Sequence, residues 1–334
     1  MNHMKNEESR AFDRTALHIE PEAEVNRIAE RLRQQVHRDL RRKGAVVGIS
    51  GGVDSSVVLG LCVRALGAER VVGLILPEDD SSPESARLAK TVAEQFGVRF
   101  ITENITAALE GFDCYRRRNE AISRLFPEFG PGWKTKITIP GDLLQEGTLN
   151  VFQLTAISPD GQVLSRRMPP REYAQIVAAS NFKQRARMTM LYYHAELRHF
   201  AVVGTANKNE HALGFFVKHG DGGVDIQPIG HLFKSQVYEL ARHLMLPADI
   251  CGRTPTTDTY SAGSSQEEFF FRVPFQILDL VWLGYERGIS SEEIGSALDL
   301  SAEQVDRVIA DILRKHRTTA YLRTPAMFDA VSAD

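Results

Sequence analysis

The 334-residue sequence predicts a doubly wound α/β protein, a parallel sheet with helices on both faces, and three observations predict it. Short, continuous apolar runs alternate with helix-length amphipathic stretches through the first hundred residues. The links between them are short. One link is a small-residue turn, Ser50-Gly51-Gly52-Val53-Asp54-Ser55-Ser56, set directly after an apolar run. Continuous apolar runs are what strands buried on both faces look like, and helical links of this length join parallel strands.

The elements follow in order. Residues 1–20 are polar and read as a flexible tail. Residues 21–44 carry apolar side chains at helical spacing and stop at Gly44. Residues 45–49 (AVVGI) read as a strand, 57–67 as a helix, 70–77 as a strand, 83–97 as a helix and 98–104 as a third strand. Residues 110–170 break the rhythm with Pro and Gly punctuation and alternating stretches. They are expected to form an inserted lobe, with a hairpin turn at Asp160-Gly161. A long helix over 171–198 and a strand over 199–205 resume the α/β pattern. The remainder, about 265–320, is helical. Its last two helices, joined around Leu298–Ser301, read as a packed hairpin, because bases do not outnumber acids and no basic stripe is present. Residues 21–334 are read as one domain.

Composition excludes several classes. A net charge of −3, 43% hydrophobic and 25% charged residues describe an ordinary globular chain. It has no bulk attraction to nucleic acid or anionic membrane, so neither is expected as a partner. No apolar run reaches membrane-spanning length, and the start lacks the apolar core of a signal peptide. Cys62, Cys114 and Cys251 lie far apart, which fits neither a zinc ribbon nor a disulfide framework. A reducing cytoplasm is the expected setting.

The strongest chemical signal is the loop Gly48-Ile49-Ser50-Gly51-Gly52-Val53-Asp54-Ser55-Ser56. Gly51 and Gly52 allow a tight turn and a close backbone approach to a phosphate. The loop N–H groups and the free N–H groups of the following helix face such an anion. Ser50, Ser55 and Ser56 add hydroxyl donors. Asp54 would repel a phosphate unless a cation intervened, which makes it a natural magnesium ligand. No Gly-Lys-Ser/Thr ends the loop, so it is not a Walker A loop. It resembles the SGGxDS signature of the N-type ATP pyrophosphatases. That resemblance implies an adenine nucleotide alpha hydrolase-like fold, cleavage of ATP between its α- and β-phosphates, and transfer of AMP to a substrate oxygen. By it, Gly48, Ser50, Gly51, Gly52, Asp54 and Ser55 bind ATP.

Residues 181–258 narrow the choice. Asn181-Phe182-Lys183-Gln184-Arg185-Ala186-Arg187-Met188, Gly204-Thr205-Ala206-Asn207-Lys208-Asn209-Glu210, and Gly214-Phe215-Phe216-Val217-Lys218-His219-Gly220-Asp221-Gly222-Gly223-Val224-Asp225 follow one another in order. Pro228, Leu232 and Lys234 come next, then Pro255-Thr256-Thr257-Asp258. Together they resemble the ammonia-dependent NAD synthases over about three quarters of the chain. The resemblance implies that ATP, deamido-NAD and ammonia give NAD, AMP and pyrophosphate. It implies that Thr205, Lys234 and Thr256 contact ATP, that Arg185, Lys218 and Asp225 contact deamido-NAD, and that Asp54 and Glu210 hold Mg2+. Lys234 and the metal would meet the charge that builds on the α-phosphate and departing pyrophosphate. Asp221, between these groups, is a candidate for ordering substrate or ammonia.

Three departures bear on the acyl substrate. The family's His-Lys-Arg near the C-terminus corresponds to Tyr321-Leu322-Arg323, residues 265–275 replace a segment containing Gly and Tyr, and 110–170 has no counterpart in compact members. The alternative is therefore a related amide ligase that adenylates a different carboxylic acid. Only about twenty polar residues precede the first helix, where glutamine-dependent relatives carry a glutaminase domain. Free ammonia is the expected nitrogen donor; a separate glutaminase subunit stays open as an alternative source, though nothing in the sequence indicates one. The family forms homodimers, and the apolar helices at 171–198 and 265–283 are the candidate interface.

Overall fold

The computed structural model describes residues 12–145, 151–255, 260–263 and 265–328. In chain order the first elements are α1 (Pro21–Gln34), β1 (Ala45–Gly48), α2 (Val53–Leu66), β2 (Val71–Ile75), α3 (Pro83–Gln95) and β3 (Arg99–Thr102). Then come α4 (Thr106–Gly111), α5 (Cys114–Leu125), β4 (Lys134–Thr138), β5 (Gln153–Ile157), β6 (Val163–Arg167), α6 (Pro170–Arg198) and β7 (Ala201–Val203). The chain continues as α7 (Lys208–Leu213), α8 (Lys234–His243), α9 (Ala248–Cys251), α10 (Phe275–Glu286), α11 (Ser291–Leu298), α12 (Ala302–Thr318) and α13 (Ala320–Arg323).

The main sheet is parallel in the order β3-β2-β1-β7, with Val46 beside both Val72 and Val202. Strand order reverses between β1 and β7, and in such sheets ligands bind beyond the carboxyl ends of the strands at that reversal. Side chains alternate across the sheet. Ala45, Val47 and Ile75 pack against α1, α2, α3 and α8, while Val46, Leu74 and Val202 pack against α4 and α6. Helix α2 lies in the middle of the first layer. Eleven of its fourteen residues are buried, which explains why its sequence is apolar all round.

The inserted lobe is present as an antiparallel meander, β4-β5-β6. The expected hairpin turn sits between β5 and β6, with Gly161 at a φ of 89°. Ile137, Leu154 and Ala156 close a small core with Ile122 and Phe126 of the α5 end and Met168 and Ile176 at the start of α6. The lobe is stitched to the C-terminal part: the Leu143 N–H donates to the Arg272 carbonyl, the Ala262 N–H to the Thr135 carbonyl, and Gln304 and Arg307 to the Leu144 carbonyl.

Several expectations change. Helix α1 ends at Gln34 and passes into a single π-helical turn over Gln35–Asp39, well before Gly44. The tail is not loose throughout, because Phe12 and Leu17 are buried in the C-terminal core. Residues 265–283 are not one helix. A π-helical turn, Glu267–Phe271, ends at Arg272 in the left-handed region (φ 62°), and Pro274, which lacks an N–H, leads into α10. Leu278, Val281 and Trp282 of α10 are buried within the chain, so this stretch is core and not an outer face. The pair α11–α12 packs inward through Ile294, Leu298, Val305, Val308 and Ile312, as a helical hairpin should.

Candidate active site

A cavity of about 700 Å³ opens beyond the carboxyl ends of β1, β2 and β7. Gly48 lines it from the end of β1, Ser50 and Gly52 from the loop that follows, Asp54 and Ser55 from the start of α2, Thr205 from just past β7, Glu210 from α7 and Lys234 from α8. Arg185, Lys218 and Asp221 also line it. Residues remote in sequence thus meet at the strand reversal. Its volume lies within the range of small-molecule and cofactor sites.

The loop organises itself. The Ser50 N–H donates to Ser55 Oγ at 3.2 Å, and the Gly52 N–H to Ser50 Oγ at 3.3 Å. Ser55 and Ser56 hydroxyls donate to the Gly52 carbonyl at 3.0 and 2.8 Å. Ser56 is fully buried and does not line the cavity, so its hydroxyl braces the turn and is not a phosphate donor. Gly51 also lies outside the lining. Its φ is 74°, and a Cβ there would come within 2.5 Å of the Ser85 carbonyl oxygen. The turn needs glycine at this position to pass α3.

Behind the loop sits an ionic group. Lys234 is fully buried, and its ammonium bonds Asp54 Oδ2. Asp54 Oδ1 accepts from Asn207 Nδ2 at 3.0 Å. Asn207 caps α7 reciprocally: its side chain accepts the Glu210 N–H at 3.0 Å, while Glu210 Oε2 accepts the Asn207 N–H at 3.2 Å. Glu210 Oε1 accepts from Gln266 Nε2 at 3.1 Å. Burial, reinforced by the Asp54 charge, pushes the Glu210 carboxyl up to about 8. Burial opposes the Lys234 ammonium, but Asp54 and Glu210 outweigh it and raise its pKa. Two close carboxylates, one of them reluctant to ionise, make a place that a divalent cation would relieve. No group of three or more His, Cys, Asp or Glu suited to a metal occurs among the described residues. The pair fits magnesium, which takes one or two carboxylates and completes its shell with waters and substrate phosphates.

The far wall differs from expectation in part. Arg185 Nε donates to the Lys218 carbonyl at 3.3 Å, and Lys218 Nζ donates to the Tyr321 and Thr324 carbonyls at 3.0 and 2.7 Å. Lys218 therefore fastens the C-terminal segment, and Tyr321 and Leu322 line the cavity there. Asp221 lines it too, held by the Val217 N–H at 2.8 Å, with burial pushing its carboxyl up to about 6. Asp225 is not brought to the cavity. Its carboxylate is exposed and accepts from the Val202 N–H and the Tyr192 hydroxyl at 2.8 and 2.9 Å. Arg272 and Phe275 do not line the cavity either; Arg272 donates to the Gly141 and Pro140 carbonyls of the lobe. Thr256 lies outside the described residues.

One group escaped the sequence reading. Lys183, fully buried, bridges Glu78 (3.1 Å) and Asp80 (2.5 Å), and Arg118 also bonds Asp80. Burial opposes the Asp80 charge, but Lys183 and Arg118 hold its carboxyl below the usual range. The group fixes the loop after β2, whose Ser81 and Ser82 line the cavity. Its signal was the acidic run Glu78-Asp79-Asp80 at a strand end. The lobe contributes as well, because Phe152 and Tyr173 stack at 4.4 Å on the cavity wall.

A doubly wound sheet with a Ser-Gly-Gly-x-Asp cradle and a buried lysine-carboxylate group at its reversal defines a nucleotide-binding α/β protein of the ATP-pyrophosphatase type. A family model described as NAD synthase matches residues 24–125 and 148–323. The chain is 48% identical to the NH(3)-dependent NAD(+) synthetase of Rhizobium meliloti over 96% of both chains. It is 36% identical to that of Thermotoga maritima, over 86% of this chain and 94% of the relative. The chain belongs to the NAD synthase family. Its fold is also similar to the NH3-dependent NAD synthetase of Campylobacter jejuni, solved in complex with the nitrate ion (TM-score 0.60, 20% identity, 93% of this chain and all of the other). An NMN synthetase from Francisella tularensis is similar in fold too (TM-score 0.64, 23% identity, 94% of this chain and all of the other). The family match skips only 126–147 inside the lobe, so the segment without a family counterpart is narrower than 110–170.

Proposed function

We propose that the chain amidates deamido-NAD with ammonia at the expense of ATP, giving NAD, AMP and pyrophosphate. The observation that carries this is 48% identity along nearly the whole chain to an NH(3)-dependent NAD(+) synthetase, joined to the Asp54–Lys234–Glu210 group beside the glycine loop.

A carboxylate does not accept ammonia directly, because oxide is a poor leaving group. In this reading a carboxylate oxygen of the substrate attacks the α-phosphorus of ATP, and the bond to the β-phosphate oxygen breaks. Pyrophosphate leaves, and an acyl-adenylate remains. Ammonia then attacks the acyl carbon, AMP leaves, and the nitrogen loses a proton. Ser50, Gly52, Ser55 and Thr205 bind the phosphates, with Gly48 and Gly51 shaping the turn; Thr256 is assigned to ATP from sequence alone. Lys234 meets the charge on the α-phosphate and pyrophosphate. Asp54 and Glu210 would hold magnesium, which would supply charge neutralisation at the phosphates. Arg185, Lys218 and Asp221 form the side facing deamido-NAD, and Asp221 is assigned to ordering substrate or ammonia. Asp225 acts in this reading by securing β7, beside Thr205.

We also read the chain as a homodimer in the cytoplasm. Tyr193 and Leu197, one turn apart on α6 and 56% and 65% exposed, support a partner on that helix. Unpaired cysteines support a reducing compartment. No helix among the described residues is long and apolar enough to cross a membrane.

The test is turnover by purified protein with ATP, Mg2+ and ammonium, with and without deamido-NAD. NAD and AMP should form in equal amounts only when deamido-NAD is present, and glutamine should not replace ammonium. Amidation of another acid with no NAD would favour the different-acid alternative.

A further inference from the structure

Asp279 is a fully buried carboxylate that does not line the cavity of the site and has no part in the chemistry described so far. It comes from α10, yet every described hydrogen bond it makes serves the elements that carry the reaction centre. Its Oδ2 accepts the Ser235 N–H at 2.8 Å and the Ser235 hydroxyl at 2.7 Å. Its Oδ1 accepts Asn209 Nδ2 at 2.5 Å. Asn209, also fully buried, turns its amide oxygen to the Lys234 N–H at 3.0 Å.

The first residues of a helix have N–H groups with no partner inside the helix, and a polar N-cap side chain usually takes them. At α8 the N-cap is Phe233, which has no polar side-chain atom. Lys234 and Ser235 are the first two residues of that helix. Asn209 and Asp279 therefore take the place of the missing cap, from two other helices. The same Asn209 is the neighbour of Glu210 on α7. One carboxylate thus locks the helix that carries Lys234 to the helix that carries Glu210. It does so from below, where no substrate reaches.

We propose that Asp279 is a positioning residue for the adenylation step, fixing the start of α8 through Asn209 and Ser235 so that the Lys234 ammonium stands against Asp54. The inference rests on the role given above to Lys234, and the test separates the two. Three proteins are compared with the parent: Lys234→Met, Asp279→Asn, and the exchange Asn209→Asp with Asp279→Asn. The single Asp279→Asn change sets one amide NH2 against another or against the Ser235 N–H. In the exchange, the carboxylate at 209 accepts both the Lys234 N–H and the new amide at 279, whose oxygen still accepts from Ser235. Every donor keeps an acceptor.

Steady-state kinetics with ATP, deamido-NAD and ammonium are read beside melting temperatures. Lys234→Met should lose about a hundredfold or more in kcat. Asp279→Asn should lose about ten- to a hundredfold in kcat, with both KM values within about twofold, as expected of a misplaced group that binds no substrate. The exchange should return kcat to within about threefold of the parent, the bonds being restored. A dead Lys234→Met enzyme beside a normal Asp279→Asn enzyme overturns this inference alone. So does an exchange that leaves kcat at the Asp279→Asn level, whether or not its melting temperature recovers. Normal turnover by Lys234→Met removes the reading of the site and this inference with it.

Discussion

Asp54→Asn is the substitution on which the site's electrostatics bear most directly. Asp54 is the hydrogen-bonding partner of the Lys234 ammonium, and Lys234 is fully buried. The amide keeps an oxygen for Asn207 but can present its NH2 to the ammonium. Removing one partner from a buried ion pair costs about 3–5 kcal/mol, because the remaining charge is stranded. Here the loss is smaller. Burial and then the Asp54 charge keep Glu210 protonated up to about 8. Without that charge Glu210 ionises more readily and takes over part of the pairing. A net loss of about 2 kcal/mol follows, or roughly 3 °C in melting temperature for a chain of this size. Activity should fall much further than stability. A carboxylate placed to hold a cation beside the phosphates is gone, and kcat should drop by about a hundredfold or more. The assay is pyrophosphate release at limiting and saturating Mg2+, with calorimetry alongside. Turnover within threefold of the parent at limiting Mg2+ would refute the reasoning, as would a melting temperature that falls in parallel with all the lost activity.

Three other outcomes follow from the same geometry. Gly51→Ala should lower stability by about 1–2 kcal/mol from its left-handed backbone alone, with more from the Ser85 carbonyl in the way, and should raise the KM for ATP; unchanged melting and KM would contradict the packing argument. Burial lifts the folded-state carboxyls of Asp279 and Glu210 to about 6 and about 8, above their ordinary values of 3.8 and 4.5. Raised acids contribute stability that is present below the unfolded pKa and lost as pH rises through the folded one, so in chelator the melting temperature should decline from mildly acidic pH to pH 8; a rise across that window would refute the assignment. Leu322→Ala should raise the KM for deamido-NAD severalfold and spare that for ATP, since Leu322 lies on the wall held by Lys218; equal changes in both would place the dinucleotide elsewhere.

What the sequence makes legible is local. The loop from Gly48 to Ser56, the parallel alternation and the 160–161 hairpin follow from neighbours along the chain, and the structure contains them. Lys234 and Glu210 were placed by ordered motifs, and they do meet Asp54 at one cavity. Less legible are the positions where tertiary partners decide. Asp225 looks identical in sequence whether it faces a ligand or accepts the Val202 N–H. Lys183 sits in a motif as an unremarked position, because Glu78 and Asp80 reach it only when the sheet closes. Asp279 reads as one acid on an apolar helix, and its meaning depends on Phe233 lacking an acceptor. Gly51 was assigned to phosphate approach, whereas α3 is the nearer constraint. Pro274 does signal the break within 265–283, since its missing N–H cannot continue a helix.

The stitching of the meander has a bearing on how the chain matures. Its strands leave the ribosome well before Arg272, Gln304 and Arg307, the residues that anchor its edge, have been synthesised. A domain generally folds as a unit, and here the unit includes fasteners that lie far along the chain from the strands they hold. A chain halted before residue 272 would carry the nucleotide cradle without the bonds from Arg272, Gln304 and Arg307 that hold one side of its enclosure.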